Sequence, residues 1–421
     1  MRVHPCKGGS CACTHEEASS HGCCSCCLSP MIPHAPRPSR HGLFLCATCS
    51  PGIFVAVLDG ARGVGRIRIG CRSRVQRRGR PACESRSGGR TPMQAQPISP
   101  LGPVKLAVTM DDMLMWRGLP VPPNYSPLGI ARAMTKALQR HGVTDVYAFS
   151  NTAPADDDPE LLRVFDHWVE QGHHVANHTH HHPSINWVDA DTYIGDIERT
   201  EEIIKRWSSA APRRYFRYCN DMWGDTAEKQ AKVGAYLQRQ GYTPVPVSVG
   251  FRDSRFAPAY WRTLKRDDRE GVAYLRGAFV DTAMHELRLH AANARAVFGR
   301  DPFHIWLIHG TPLGGDCLDE ILDRFQAAGV EFVSVDEAMA DPMNAIVPPR
   351  VSPEFIHQVE KWALVHGVPV DDRPPKILEE IERLNPAPGE SSVEIRARMH
   401  AFIAERLGAR PGPFPLASCQ Q

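Results

Sequence analysis

Acidic residues are scarce in the first ninety positions. Met1 to Arg90 holds 14 Lys and Arg against 4 Asp and Glu, while the rest of the chain holds 35 against 43, so the net charge of +2 conceals a basic leader ahead of a mildly acidic body. Large apolar side chains are also sparse from Arg62 to Arg90, where Arg, Gly and Ser dominate. Such a composition cannot bury enough surface to offset ordering entropy, and residues 1–100 are expected to be a disordered leader. Cysteine is rare beyond it: 11 of 14 lie between Cys6 and Cys83, leaving Cys219, Cys317 and Cys419 for the body. Three cysteines over some three hundred residues exclude a disulfide framework there. No run of eighteen uncharged apolar residues occurs, so no transmembrane helix is indicated.

The leader carries one metal-like spacing, Cys24-x2-Cys27 and Cys46-x2-Cys49, which matches a four-cysteine zinc ribbon. Pro30, Pro33, Pro36 and Pro38 lie between the two pairs and oppose the hairpins such a ribbon needs. Gly42 to Leu58 is apolar enough to resemble a signal segment, but Pro51 interrupts it and no small-x-small cleavage site follows. Compartment is therefore unassigned, with the cytoplasm favoured over export. Met93 is a plausible alternative start. The basic stretch lacks interleaved aromatics, and no nucleic-acid partner is expected.

From Val104 short apolar runs alternate with helical stretches, the pattern of a parallel α/β domain. Strands are expected at Lys105–Thr109, Val146–Ser150, His174–Asn177, Arg214–Arg217, Tyr242–Val249, Phe303–Ile308 and Phe332–Val335. Helices are expected at Leu128–His141, Pro159–Gln171, Asp189–Ser208, Ala259–Ala294 and Asp316–Ala328, with one more entered through an Asp225/Glu228 capping box. About seven parallel strands in this length favour a distorted (β/α) barrel over residues 101–345. Beyond it, residues 346–421 read as a helical extension, with helices at Glu354–His366, Ile377–Leu384 and Ser392–Leu407. An appendage packed on the barrel and an oligomerisation element both fit that extension.

Against the scarcity of other chemistry stands Asn177-His178-Thr179-His180-His181-His182-Pro183-Ser184, four imidazoles in eight residues at the end of an expected strand. Neutral imidazole is a common metal ligand, and Pro183 steers His182 away from the helical region, so the run is a fixed loop. His180 and His181 are loop or supporting residues unless they replace a ligand. A carboxylate pair, Asp111-Asp112, ends the first strand. Adjacent residues there point in different directions, leaving one free to ligate and the other to act as a base. Cys219 lacks a basic partner and is expected to pack rather than react.

Taken together, Thr109-Met110-Asp111-Asp112-Met113, His178 to Ser184 with its HxxxHPS element, Phe216-Arg217, and Ile305-Trp306-Leu307-Ile308-His309 resemble the ordered motifs of the polysaccharide deacetylase family, the NodB homology domain. The resemblance covers roughly Val104 to Pro342. It implies that Asp112, His178 and His182 hold a divalent ion, usually zinc. It also implies that Asp111 is the catalytic base, His309 the general acid, Arg217 the partner of the base and Asp253 the support of the acid. The implied activity is metal-dependent hydrolysis of an N-acetyl or related amide bond on an amino sugar, polysaccharide or small amide. A carbohydrate-binding protein that keeps the fold without turnover is the alternative. The sequence departs from the family pattern at Met110 and Met113, at Ser254 where a Trp is common, and at Arg217-Tyr218-Cys219-Asn220-Asp221-Met222-Trp223-Gly224 where a compact RxPxG-type turn is usual.

Overall fold

A computed structural model describes residues 102–412, apart from 116–118, 120, 350 and 352–354. The expected disordered leader, its zinc-ribbon spacing and Met93 all lie outside the described residues.

Seven parallel strands form one curled sheet: β1 (Val104–Asp111), β2 (Tyr147–Ser150), β3 (His174–Asn177), β4 (Tyr215–Phe216), β5 (Thr243–Pro244), β6 (His304–His309) and β7 (Val330–Val333). The order β5-β4-β3-β2-β1-β6 is completed by β7. One edge of β1 pairs with β6, and the other is shared by β7 along Val104–Ala107 and β2 along Thr109–Asp111. The ring draws together through a short segment after β5: the Val245 amide donates to the Phe216 carbonyl, and Val249 bridges Trp306. The sheet is therefore a distorted barrel. Closure rests on single bridges, because Pro244 and Pro246 cannot donate to a ladder.

Alternation within the strands builds two apolar layers. Ala107, Tyr147, Phe149, Ala176, Tyr215 and Ile305 form one buried cluster, while Leu106, Val108, Ala148, Val175 and Trp306 belong to the larger one under the helices. Burial on both faces is why these strands read as nearly continuous apolar runs.

Several expected boundaries differ. The Tyr242–Val249 strand contracts to Thr243–Pro244 for the proline reason just given. The expected Pro159–Gln171 helix divides into a 3-10 turn at Pro159–Leu162 and the helix Arg163–Glu170. The Ala227–Arg239 helix is capped by Thr226, whose hydroxyl accepts from the Lys229 amide, and not by an Asp225/Glu228 box. The stretch expected to be mostly helical from Ala259 to Ala294 consists of the helices Phe256–Lys265 and Arg269–Phe298.

The extension packs onto the barrel. Its helices are Gln358–His366, Ile377–Glu382 and Ser392–Leu407. Leu378, Ile381 and Leu384 join the main core. Buried Arg262 donates to the carbonyls of Leu384 at 3.2 Å and Glu390 at 2.6 Å. At the other end, the Arg410 amide donates to the Trp187 carbonyl at 2.8 Å.

Candidate active site

The register of the central strands places the polar residues. Asp111 lies opposite His309 on β6 and Phe149 on β2, and Asn177 lies opposite Phe216 on β4. Asp111, His178, Arg217 and His309 therefore sit together where the strands end, the side on which parallel α/β barrels build their sites.

Three buried ion-pair arrangements define the chemistry. The Arg217 Nη1 donates to Asp111 Oδ1 at 2.7 Å and to Thr109 Oγ1 at 2.9 Å, with Asp111 3% exposed and Arg217 1%. The other Asp111 oxygen lies 3.6 Å from His178 Nε2. Asp112 turns the other way: Asn151 Nδ2 donates to its Oδ1 at 2.6 Å, and its Oδ2 lies 3.7 Å from His182 Nε2 and 3.9 Å from His309 Nε2. Asp253 accepts from both the His309 backbone amide and Nδ1.

The loop around the imidazoles is held by partners outside the motif. Both His180 nitrogens are occupied, Nδ1 by Thr152 at 2.8 Å and Nε2 by Asp156 at 3.0 Å. Asp196 accepts from the backbone amides of His180 and His181 and pairs with His181 Nδ1. These two imidazoles therefore anchor the loop. His178 Nδ1 donates to the Arg217 carbonyl at 2.8 Å, which leaves Nε2 with its lone pair toward the site. The His178 and His182 rings stand 4.9 Å apart.

Backbone geometry is unusual at this end of the barrel. Seven of the eleven described non-glycine residues at positive φ belong to it: Asp112, Met115, Thr179, His182, Asn220, Asp221 and Arg252. Left-handed conformations of such residues cost free energy and persist where the surroundings enforce them, so the strain marks a shaped site.

Charge is set by burial and neighbours. Burial acts to raise the Asp112 carboxyl, but His182, His178 and His309, with the Asn151 hydrogen bond, outweigh it and hold the group below its ordinary value. Burial pushes His182 down to about 4, so this imidazole is neutral at neutral pH. Burial opposes the charge of His309, yet Asp253 prevails and lifts it to about 10. Burial drives the Cys219 thiol well above its usual range.

These residues fit a divalent ion. Two donors on one tetrahedral zinc stand roughly 3.3–3.6 Å apart, given bonds of about 2.0–2.2 Å, and the Asp112–His182 separation of 3.7 Å is close to that spacing. His182 Nδ1 is buried without a hydrogen-bond partner. Among the described residues the three-donor convergence at this site is His178, His182 and Cys219, whose ligand atoms all lie within 4.8 Å of one another, and the expected triad of Asp112, His178 and His182 does not draw together as tightly. The Cys219 sulfur donates to the His178 carbonyl at 3.2 Å, which agrees with a packed thiol.

Asn151, Thr109, Asp196 and Asn220 were not singled out from the sequence as site residues. Thr109 and Asn220 lie inside the motifs but their residue types carry no signal of a role, while Asn151 and Asp196 stand outside and only the fold brings them near. Asn220 is a further case: it lines the cleft with its side-chain nitrogen buried and unpartnered.

Residues 103–237 match the polysaccharide deacetylase family. Among curated proteins, the chain is 27% identical over 204 residues to a peptidoglycan-N-acetylglucosamine deacetylase of Bacillus cereus, covering 47% of this chain and 59% of that protein. It is 22% identical over 212 residues to the peptidoglycan-N-acetylmuramic acid deacetylase PdaA of Bacillus subtilis, covering 50% and 66%. The chain thus spans less than two thirds of either relative. Among solved structures, a CE4 family pseudoenzyme from Bacillus anthracis aligns at 14% identity over 56% of this chain and 66% of that one, with a TM-score of 0.38. The matched residues 103–237 include the Asp-Asp and HxxxHPS motifs, and it is this part of the chain that is similar to the polysaccharide deacetylase family.

Proposed function

We propose that this protein is a metal-dependent hydrolase that removes an acetyl or related acyl group from the nitrogen of an amino sugar or small amide. The observation that carries the reading is the two buried ion pairs, Asp111 with Arg217 and His309 with Asp253, beside the Asp112–His182 pair. Separated acid and base assignments of this kind are what amide hydrolysis requires.

Asp112, His178 and His182 would hold the ion, most consistently zinc. Asp112 is preferred over Cys219 because its carboxyl is held ionised, whereas the thiol would have to surrender a proton that burial retains. When bound, the ion supplies Lewis acidity toward the amide carbonyl and toward the attacking water. Asp111, fixed by Arg217, takes the proton of that water. His309 is oriented through Nδ1 by Asp253 and carries its proton on Nε2, facing the site, for the departing nitrogen. An amine anion leaves poorly unless protonated, so this delivery is the step the chain must provide.

The test is acetate release by the metal-loaded full chain across acetylated sugars and small amides, with defined metals. A metal-free protein with unchanged activity would sink the mechanism. The altered third motif, with Cys219 followed by two residues at positive φ, favours a second reading: a carbohydrate-binding protein without turnover. Ligand affinity that survives with no acetate released from any substrate would select it.

A further inference from the structure

The cleft beside Asp112, His182 and His309 is not walled by the barrel alone. Phe355 and His357 reach it from just before the Gln358–His366 helix, and Glu360 from that helix itself. Ile395, Arg396 and Met399 reach it from Ser392–Leu407. Positions 395, 396 and 399 share one helical face, so this helix presents a continuous surface to the site.

That surface is fastened at several points. The His400 ring packs edge-on to Trp187 at 4.6 Å, and Phe402 lies 5.9 Å from His181 in the ligand loop. Lys361, in the Gln358–His366 helix, donates through Nζ to the Asp221 carbonyl at 2.7 Å and pairs with its carboxylate at 3.0 Å, inside the altered third motif. With the Arg262 and Arg410 bonds already described, the wall cannot leave without exposing buried, paired groups, and leaving such groups unpaired is costly.

The free space in this cleft is about 240 Å³, below the roughly 300–1,000 Å³ of sites that take drug-sized ligands. It has room for one acylated ring or a comparable small amide. A polymer bound through an interior unit needs a groove that runs past the site in both directions, and here Ile395, Arg396 and Met399 stand in the lining of the cleft.

We infer that the C-terminal extension is a specificity element that restricts the site to a free, small N-acylated amine of about one sugar ring and rejects polysaccharide. The inference rests on the proposed amide hydrolysis. Its test is binding, measured by calorimetry on the full-length, zinc-loaded Asp111→Asn protein, with N-acetylglucosamine and its β-1,4-linked hexamer as probes. The monomer is expected to bind at least tenfold tighter than the hexamer, and Arg396→Ala combined with Met399→Ala to narrow that preference at least threefold. Hexamer binding equal to or tighter than monomer overturns the inference, as does a preference that the double variant leaves untouched. Should the double variant fail to fold, the milder Ile395→Ala takes its place with the same expected direction. Silence toward both probes overturns the inference, and the hydrolase reading is then judged separately by the acetate-release screen. Failure of the hydrolase reading alone is distinguishable: the monomer preference persists while the wild-type chain releases no acetate.

Discussion

Asp253 grips His309 twice, accepting from its backbone amide at 2.7 Å and from Nδ1 at 2.8 Å. One carboxylate thereby fixes both the position of the β6 terminus and the orientation of the imidazole that ends it. The ring's charge follows from this contact, since burial by itself would discharge it.

Replacing Asp253 by Asn keeps the shape and removes the charge. His309 is expected to titrate well below its present value of about 10, observable by NMR of the imidazole in the metal-free protein. The sign for stability is fixed by the raised folded value. The contribution is fully present below the ordinary histidine value of 6.5 and is lost as pH rises through about 10. Chemical denaturation across that window should show a decline in wild type and a flatter curve in Asp253→Asn; identical curves would contradict the pairing.

Asp111→Asn is expected to lower kcat by about 10²–10⁴-fold, the usual worth of a positioned acid or base, while leaving the metal content unchanged. Acetate release paired with elemental analysis separates the two effects. Loss of metal alongside activity would instead make Asp111 a ligand, as its 3.6 Å approach to His178 allows.

His182→Ala and Asp112→Ala are each expected to weaken zinc binding by more than the roughly 10–100-fold that supporting residues cost. Cys219→Ser should leave it unchanged, because the sulfur is engaged as a thiol by the His178 carbonyl. Competition with a chromophoric chelator measures all three, and strong loss in Cys219→Ser would transfer the third ligand to sulfur.

Lys361→Met strips the buried partner from Asp221, in a pair whose lysine is 7% exposed. Breaking a buried pair from one side costs about 3–5 kcal/mol, and denaturant midpoints should fall accordingly. Replacing both partners by apolar residues should recover much of the loss. A single variant as stable as wild type would mean that the extension is not anchored through this pair.

The motif residues were legible because their chemistry is local. Asp111-Asp112 at a strand end and His178 with His182 around Pro183 are spacings a sequence displays directly. The groups that support them were not legible. Asn151 reaches Asp112 from 39 positions away, and Lys361 reaches Asp221 from 140. The weakest strand was misjudged for a related reason: Val245, Val247 and Val249 look like a strand, but Pro244 before them and Pro246 among them interrupt the ladder, and Val249 pairs with Trp306 only through an isolated bridge.

By itself, then, the amino-acid order determined the alternation of strands and helices, the carboxylate pair and the imidazole loop, because periodicity and ligand spacing are properties of neighbouring residues. Only the tertiary structure decided which Asp meets Arg217, which His is charged, and that the last helix walls the cleft. Ionisation, coordination and steric access depend on distances of a few ångströms between residues far apart in the chain, and sheet register and burial alone fix those distances.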